Sequence, residues 1–225
     1  MIGKKFVTLT LATSIILTAC GQSKESLESF YNKVEKANKE EKVIVDLNEK
    51  MTKAEKDKVQ KIEALNKAKN DDFKAKAQEL TDGIKDREEI VKDEKAAMKK
   101  SKDIYDSSKK DYKNIEDEEQ LKEAKDLKNA LDEKYKLHNE VMNAYQEVLK
   151  TEKDLFSYLS KDNATQKGAN DRSSKLTEVN KKTEKVVTDY QNTLRKVQQE
   201  KKDVSAILDK KFVLVQLILC FSTVT

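Results

Sequence analysis

The 225-residue sequence contains no proline and no tryptophan, only four glycines, and two cysteines set near opposite ends. Without proline, and with glycine this scarce, it lacks the turn punctuation of β-sandwiches, α/β folds and flexible linkers. Two distant cysteines exclude a disulfide framework. Gly83 and Gly168 are the only glycines after Gly21, so no glycine-rich phosphate loop can be built. His138 is the single histidine, which leaves no His/Cys cluster to hold a metal. A charge of one sign is missing as well, since 46 Lys and Arg face 42 Asp and Glu for a net of +4. What is abundant is mixed charge, 39% of residues against 36% hydrophobic. That is the Ala/Glu/Lys/Leu-rich composition of long helices and coiled coils.

Lys4 and Lys5 open the chain, followed by the apolar run Phe6 to Leu17 and then Leu17-Thr18-Ala19-Cys20. A positive start, a short apolar core and small residues before a cleavage point make an export signal. The apolar core is too short for a transmembrane helix of roughly 20 residues. Leu17, Thr18, Ala19 and Cys20 resemble the lipobox of bacterial lipoproteins. That resemblance implies a diacylglycerol joined to the Cys20 thiol, cleavage before it, and residues 1–19 as a removed signal peptide. Each buried acyl CH₂ contributes about 0.8 kcal/mol, so two or three chains hold a protein on a bilayer. The expected location is the extracytoplasmic face of the cell membrane, through a lipid anchor.

Removal of Lys4 and Lys5 leaves 44 basic against 42 acidic residues, a net of +2. Only Arg87, Arg172 and Arg195 are arginines, so bidentate phosphate recognition is poorly provided for. Lysines alternate with acids, as in Lys33-Val34-Glu35-Lys36, which describes a solvated helix face rather than a nucleic-acid-binding stripe. Nucleic acid is not an expected partner.

From Lys24 the apolar positions Leu27, Phe30, Tyr31, Val34, Ala37, Ile44, Leu47 and Met51 recur at steps compatible with helix. Val59, Ile62, Leu65 and Ala68 follow, then Asn70-Asp71-Asp72 offers a cap and Thr81-Asp82-Gly83 a break. Ile84, Val91, Met98, Tyr105 and Tyr112 fall seven apart. After a break near Asn114 to Asp117, alternating steps of three and four run from Leu121 to Leu159, with only Lys128, His138 and Glu152 interrupting the apolar stripe. Leu127, Val141, Val148 and Leu155 widen that stripe beyond a two-stranded zipper, which predicts a bundle core. Residues 161–174 read as a loop, and a last helix carries Leu176, Val187, Tyr190, Leu194, Val197, Val204 and Leu208. The predicted fold is all-α, an elongated antiparallel helical bundle of coiled-coil hairpins spanning residues 20–210.

Residues 211–225 do not match the rest, because charge stops after Lys211 and an apolar tail begins at Phe212. Fourteen helical residues reach only about 21 Å, short of a roughly 30 Å hydrocarbon core. A second membrane contact and burial in the bundle both stand as readings. The abrupt loss of charge favours a third, a frameshifted or truncated terminus in which Cys220 carries no role.

Catalytic constellations are not found in the sequence. His138 sits between Tyr135 and Met142 on the apolar stripe and reads as a packed histidine with a hydrogen-bond partner. Glu116-Asp117-Glu118-Glu119 lies where a helix begins, where acids suit the helix dipole. Tyrosines on the apolar faces could stack on sugar rings but read first as core. No catalytic residue, metal ligand or cofactor is expected.

The lipobox, the helix start Glu25-Ser26-Leu27-Glu28-Ser29-Phe30-Tyr31 and the Lys/Glu-rich helical body together resemble the YkyA-type cell-wall-binding lipoproteins of Gram-positive bacteria. The likeness covers roughly residues 1–210. It implies attachment to the membrane through Cys20 and association with peptidoglycan or a teichoic polymer, and it supplies no catalytic residues. The alternative is a coiled-coil interaction subunit or chaperone serving an envelope protein partner.

Overall fold

The computed structural model describes residues 14–222, with side chains described for residues 23–209. Six helices follow one another: α1 (Ser14–Glu40), α2 (Val43–Lys67), α3 (Asn70–Asp82), α4 (Ile84–Tyr112), α5 (Glu118–Leu159) and α6 (Gln166–Ser222). No strand occurs among the described residues. Two junctions keep helical backbone angles, at Lys42 (φ −59°, ψ −34°) and Gly83 (φ −68°, ψ −9°). Thus α1 with α2 forms one rod and α3 with α4 another, which reduces six helices to four rods. The predicted break at Gly83 is present. The interruption at Glu41–Lys42 had no turn residue to announce it.

True reversals occur at three places. Ala68 and Lys69 are extended, and Asn70 adopts φ 54°, a left-handed angle that asparagine tolerates better than most residues. Asp117 caps α5 by accepting the Gln120 N–H at 3.0 Å, which places the acidic run Glu116 to Glu119 at a helix start as expected. The third reversal is shorter than the sequence suggests, since α6 begins at Gln166 within the expected loop 161–174. Thr165 caps it by accepting the Gly168 N–H at 3.1 Å. Tyr158 then accepts the Thr165 N–H at 2.9 Å, and Arg172 lies 3.9 Å over the Tyr158 ring. A Cβ on Gly168 would stand 2.2 Å from the Tyr158 hydroxyl, so this glycine serves a close approach within a helix.

The rods run up, down, up and down. Phe30 meets Tyr112, and Lys33 pairs with Asp111 at 2.7 Å, across the first two rods. Arg172 pairs with Asp154 at 3.2 Å across α5 and α6, and Lys201 with Glu35 at 2.7 Å across α6 and α1. Consequently the start of α1, the end of α4, the start of α5 and the later part of α6 share one end of the bundle. There Leu27, Phe30, Val34, Tyr105, Leu127, Leu131, Val204 and Ile207 form a core contributed by all four rods. Further along, Leu80, Ile84, Val91, Leu149, Leu155 and Phe156 form a second core. No α6 residue from Gln166 to Lys196 is buried, although Leu176, Val186, Val187 and Tyr190 rest against that second core. The bundle is closed at one end and three-sided at the other, with α6 laid along its flank.

Truncation should register this asymmetry. Leu127→Ala, at a fully buried position, is expected to cost about 2–5 kcal/mol, and Leu176→Ala on the flanking part of α6 about 1 kcal/mol. Urea unfolding followed by circular dichroism measures both.

Candidate functional site

Three of the twelve stripe positions of α5 are not apolar, and the structure shows what two of them do. Glu152 is buried and receives Arg87 of α4 at 2.6 Å and Lys58 of α2 at 2.9 Å. Arg87 is itself buried and reaches Glu55 of α2 at 2.9 Å, and Glu55 also takes Lys58 and the Tyr145 hydroxyl. Burial opposes the charge on Arg87, but Glu152 and Glu55 outweigh it and raise its pKa further. Burial likewise opposes ionisation of Glu55, yet the hydrogen bonds from Lys58, Tyr145 and Arg87 hold its carboxyl below the usual range. His138, the second such position, meets Glu94 of α4 at 3.0 Å and stacks edge-on against Tyr190 at 5.7 Å. This is the packed histidine with a partner that the sequence predicts. Lys128, the third, binds Asp132 on its own helix at 2.8 Å and lies 5.9 Å from the Tyr112 ring centre of α4.

A level lower, Lys134 is almost fully buried and grips both oxygens of Glu41 at 2.6 Å. Ser101 donates to the same carboxylate at 2.5 Å and meets the Tyr135 hydroxyl at 2.7 Å. Burial pulls Lys134 below the ordinary lysine value despite Glu41. This pairing sits at the α1–α2 junction, where Glu41 leaves the helical ladder to enter the core. Tyr105 stacks on Tyr135 with ring centres 5.2 Å apart and donates to Asp132 at 2.8 Å. All seven tyrosines are buried or half-buried, so they form core and interfaces rather than an exposed sugar-stacking strip.

Two recesses flank this polar layer. One, of about 370 Å³, opens between α2 and α6; its lining includes Ile44, Met51, Met98, Met142, Tyr145, Val187, Tyr190 and Leu194, together with Glu41 and Glu94. The other, of about 620 Å³, lies between α4 and α5 over Met98, Tyr135 and His138, with Lys95, Lys99, Lys102 and Lys136 around it and Asp132 as its acid. Glu123, Glu200 and Asp203 bring three carboxylates within 4.8 Å of one another across α5 and α6, half-exposed and next to the Lys122–Glu123 ion pair. Such groups are common on charged helices, and nothing else there points to an ion.

The lipobox residues Leu17, Thr18, Ala19 and Cys20 fall on the first turns of α1, and their side chains lie outside the described residues, as do those of the apolar tail 211–225. Most of the signal segment, residues 1–13, also lies outside them. Among the described residues no helix is long and apolar enough to cross a membrane. Sequence reasoning located His138 and the stripe but missed the Arg87–Glu152–Glu55 cluster and both recesses. A charge at a stripe position, Glu152, was the available signal.

Residues 25–207 match the model of the YkyA family, described as "Putative cell-wall binding lipoprotein". The chain belongs to the YkyA family. One relative is the "Uncharacterized lipoprotein YkyA" of Bacillus subtilis (strain 168), 24% identical over 179 residues that make up 78% of each chain. A crystal structure of a conserved protein of unknown function from Staphylococcus aureus superposes with a TM-score of 0.63 at 29% identity, over 87% of this chain and 97% of that one. The YkyA match and the shared helical architecture bear out the resemblance and the all-α bundle read from the sequence. The matched range covers the bundle and ends before the apolar tail of this YkyA-family chain.

Two outcomes follow from the ion cluster. Arg87→Met leaves buried Glu152 with Lys58 as its remaining partner and should cost about 2–3 kcal/mol, whereas Arg87→Met with Glu152→Leu should recover part of that, as read by urea unfolding. Acid should weaken the fold through Glu55 and Asp132. Like Glu55, Asp132 is held below its ordinary value, because Lys128, Tyr105 and Lys109 outweigh its burial. Both bind protons more weakly folded than unfolded. Their stabilisation is therefore complete above their ordinary values of 4.5 and 3.8 and is lost as pH falls through the lower folded values. The urea midpoint should drop between about pH 5 and about pH 3, and less steeply in Glu55→Gln.

Proposed function

We propose that this YkyA-family protein is a non-enzymatic lipoprotein held on the outer face of the cell membrane through lipid on Cys20, and that it binds an anionic cell-wall polymer. In this reading residues 1–19 are removed and residues 20–210 form the working bundle. The start of α1 marks the membrane-proximal end, and the helices extend away from it; α5 alone, at 42 residues, is about 63 Å long.

The lysine-flanked groove between α4 and α5 is the observation that carries the wall reading. Lys95 hydrogen-bonds to the neutral side-chain oxygens of Asn143 and Gln146 at 3.0 and 3.1 Å. Lys99, Lys102 and Lys136 pair with Asp103, Asp106 and Glu133 on their own helices, all partly exposed. Exposed pairs of this kind contribute about 0–1 kcal/mol, so exchanging them for polymer phosphates costs little. Asn139, exposed beside the lysines, can add contacts to the sugar or alditol units between phosphates.

Fractionation and co-sedimentation test both parts. Cys20→Ser should move the protein from the membrane fraction to unprocessed or released forms. The detergent-solubilised protein should bind purified sacculi saturably, and removal of teichoic polymer should abolish that retention. Replacing Lys95, Lys99, Lys102 and Lys136 together by Gln should weaken retention several-fold and flatten its salt dependence. Equal retention on stripped sacculi would assign the ligand to peptidoglycan, and no retention at moderate salt would reject wall binding.

A further inference from the structure

The recess between α2 and α6 has a composition unlike the rest of the chain. Met51, Met98 and Met142, every methionine other than Met1, line this one place. Thioethers on unbranched stems make an adaptable, polarisable wall suited to irregular apolar ligands. The second oddity is electrostatic. In a sequence with 46 Lys and Arg, none lines the recess, while two acids do, Glu41 and Glu94. Glu41 is answered by Lys134 from beneath, at 2.6 Å on both oxygens. Glu94 meets the His138 ring nitrogen at 3.0 Å. Two carboxylates and no lysine or arginine therefore line the opening.

Two aromatic faces complete the arrangement. Tyr145 comes from α5, with its hydroxyl 3.2 Å from Met51 Sδ and bound to Glu55. Tyr190 comes from α6, held by its contact with His138. Burial, with Glu41 and Glu94 nearby, pushes the Tyr190 hydroxyl upward, so the ring stays neutral. Aromatic faces beside carboxylates, over an apolar wall, attract an ammonium group desolvated among them. The volume of about 370 Å³ lies within the ~300–1,000 Å³ of small-molecule sites. Val45, 62% exposed, stands at its rim and leaves the entrance apolar.

We propose that this recess binds a small organic cation with an apolar body, its ammonium group between Glu94 and Tyr190 and its hydrocarbon against Met51, Met98 and Met142. This site is distinct from the lysine-flanked groove and does not rest on wall binding.

The test uses the full chain in lipid nanodiscs, with empty nanodiscs as blank, titrated calorimetrically with hexyltrimethylammonium. Hexanol and hexyl sulfate are the neutral and anionic controls. Saturable binding of the cation, roughly tenfold or more tighter than either control, is expected. Glu94→Gln should weaken it by a similar factor. Val187→Trp, at a half-buried flank position where a larger ring can be accommodated without opening the core, should block it. Circular dichroism of each variant checks folding. Binding no tighter than hexanol, or an undiminished affinity in a folded Glu94→Gln, would overturn the proposal. So would binding of a Lys/Leu helical peptide in the absence of hexyltrimethylammonium binding, which would give the recess to a protein segment.

Discussion

Glu152 lies on the buried stripe of α5, a helix that packs against the other three rods, and its charge has to be met from elsewhere in the bundle. Arg87 comes from the second rod and Lys58 from the first, and both converge on it. A buried charge left unpaired is far more costly than an apolar residue in its place, so alternative registers of the three rods are penalised wherever they separate these groups. Apolar stripes alone are permissive, since a helix slid by one heptad still meets leucine with leucine. The Lys134–Glu41 pair does the same one level down, and it also fixes where the first rod is interrupted. Between them, two ion clusters specify an alignment that a thin core of Leu, Val and Ala leaves open.

Much of the architecture could be read from the sequence, and the reasons are local. The heptad column Ile84, Val91, Met98 and Tyr105 is buried throughout, because a long helix with no proline or glycine has no other way to satisfy its apolar face. Asp117 capping α5 follows from a short acidic run placed before a periodic segment. The start of α6, inside the expected loop, differs for the opposite reason. Gly168, asparagine and serine signal a loop and outweigh the local cap at Thr165, while the Tyr158 contacts with Thr165 and Arg172 form only once the chain reverses. The same limit hid the functional candidates. Arg87, Glu55 and Glu152 are far apart in sequence, and only the antiparallel rods bring them together. The lipobox, by contrast, is a purely local motif, legible without any fold.

The bundle divides its charge by face rather than by end. Lysines surround the groove between α4 and α5, and carboxylates point into the recess between α2 and α6, although Met98 lies under both. His138 and Tyr135 border the first, and Glu94 and Tyr190 border the second, so one polar layer separates the two openings. A nearly neutral sequence therefore sets lysine–acid pairs around one opening and two carboxylates in the other, which net charge alone does not disclose.

The antiparallel run of the rods has a mechanical consequence. If the start of α1 is held while the α4–α5 face is pulled away from it, the load passes along the helix axes. Phe30 against Tyr112, Lys33 against Asp111 and Glu41 against Lys134 and Ser101 would then resist sliding together instead of separating one after another. Loaded in shear, such an interface shares force over its whole length, whereas the flanking half of α6, lacking buried residues, would peel first. The molecule is built like a lap joint, stiff in tension along its axis and yielding at one loosely laid strip.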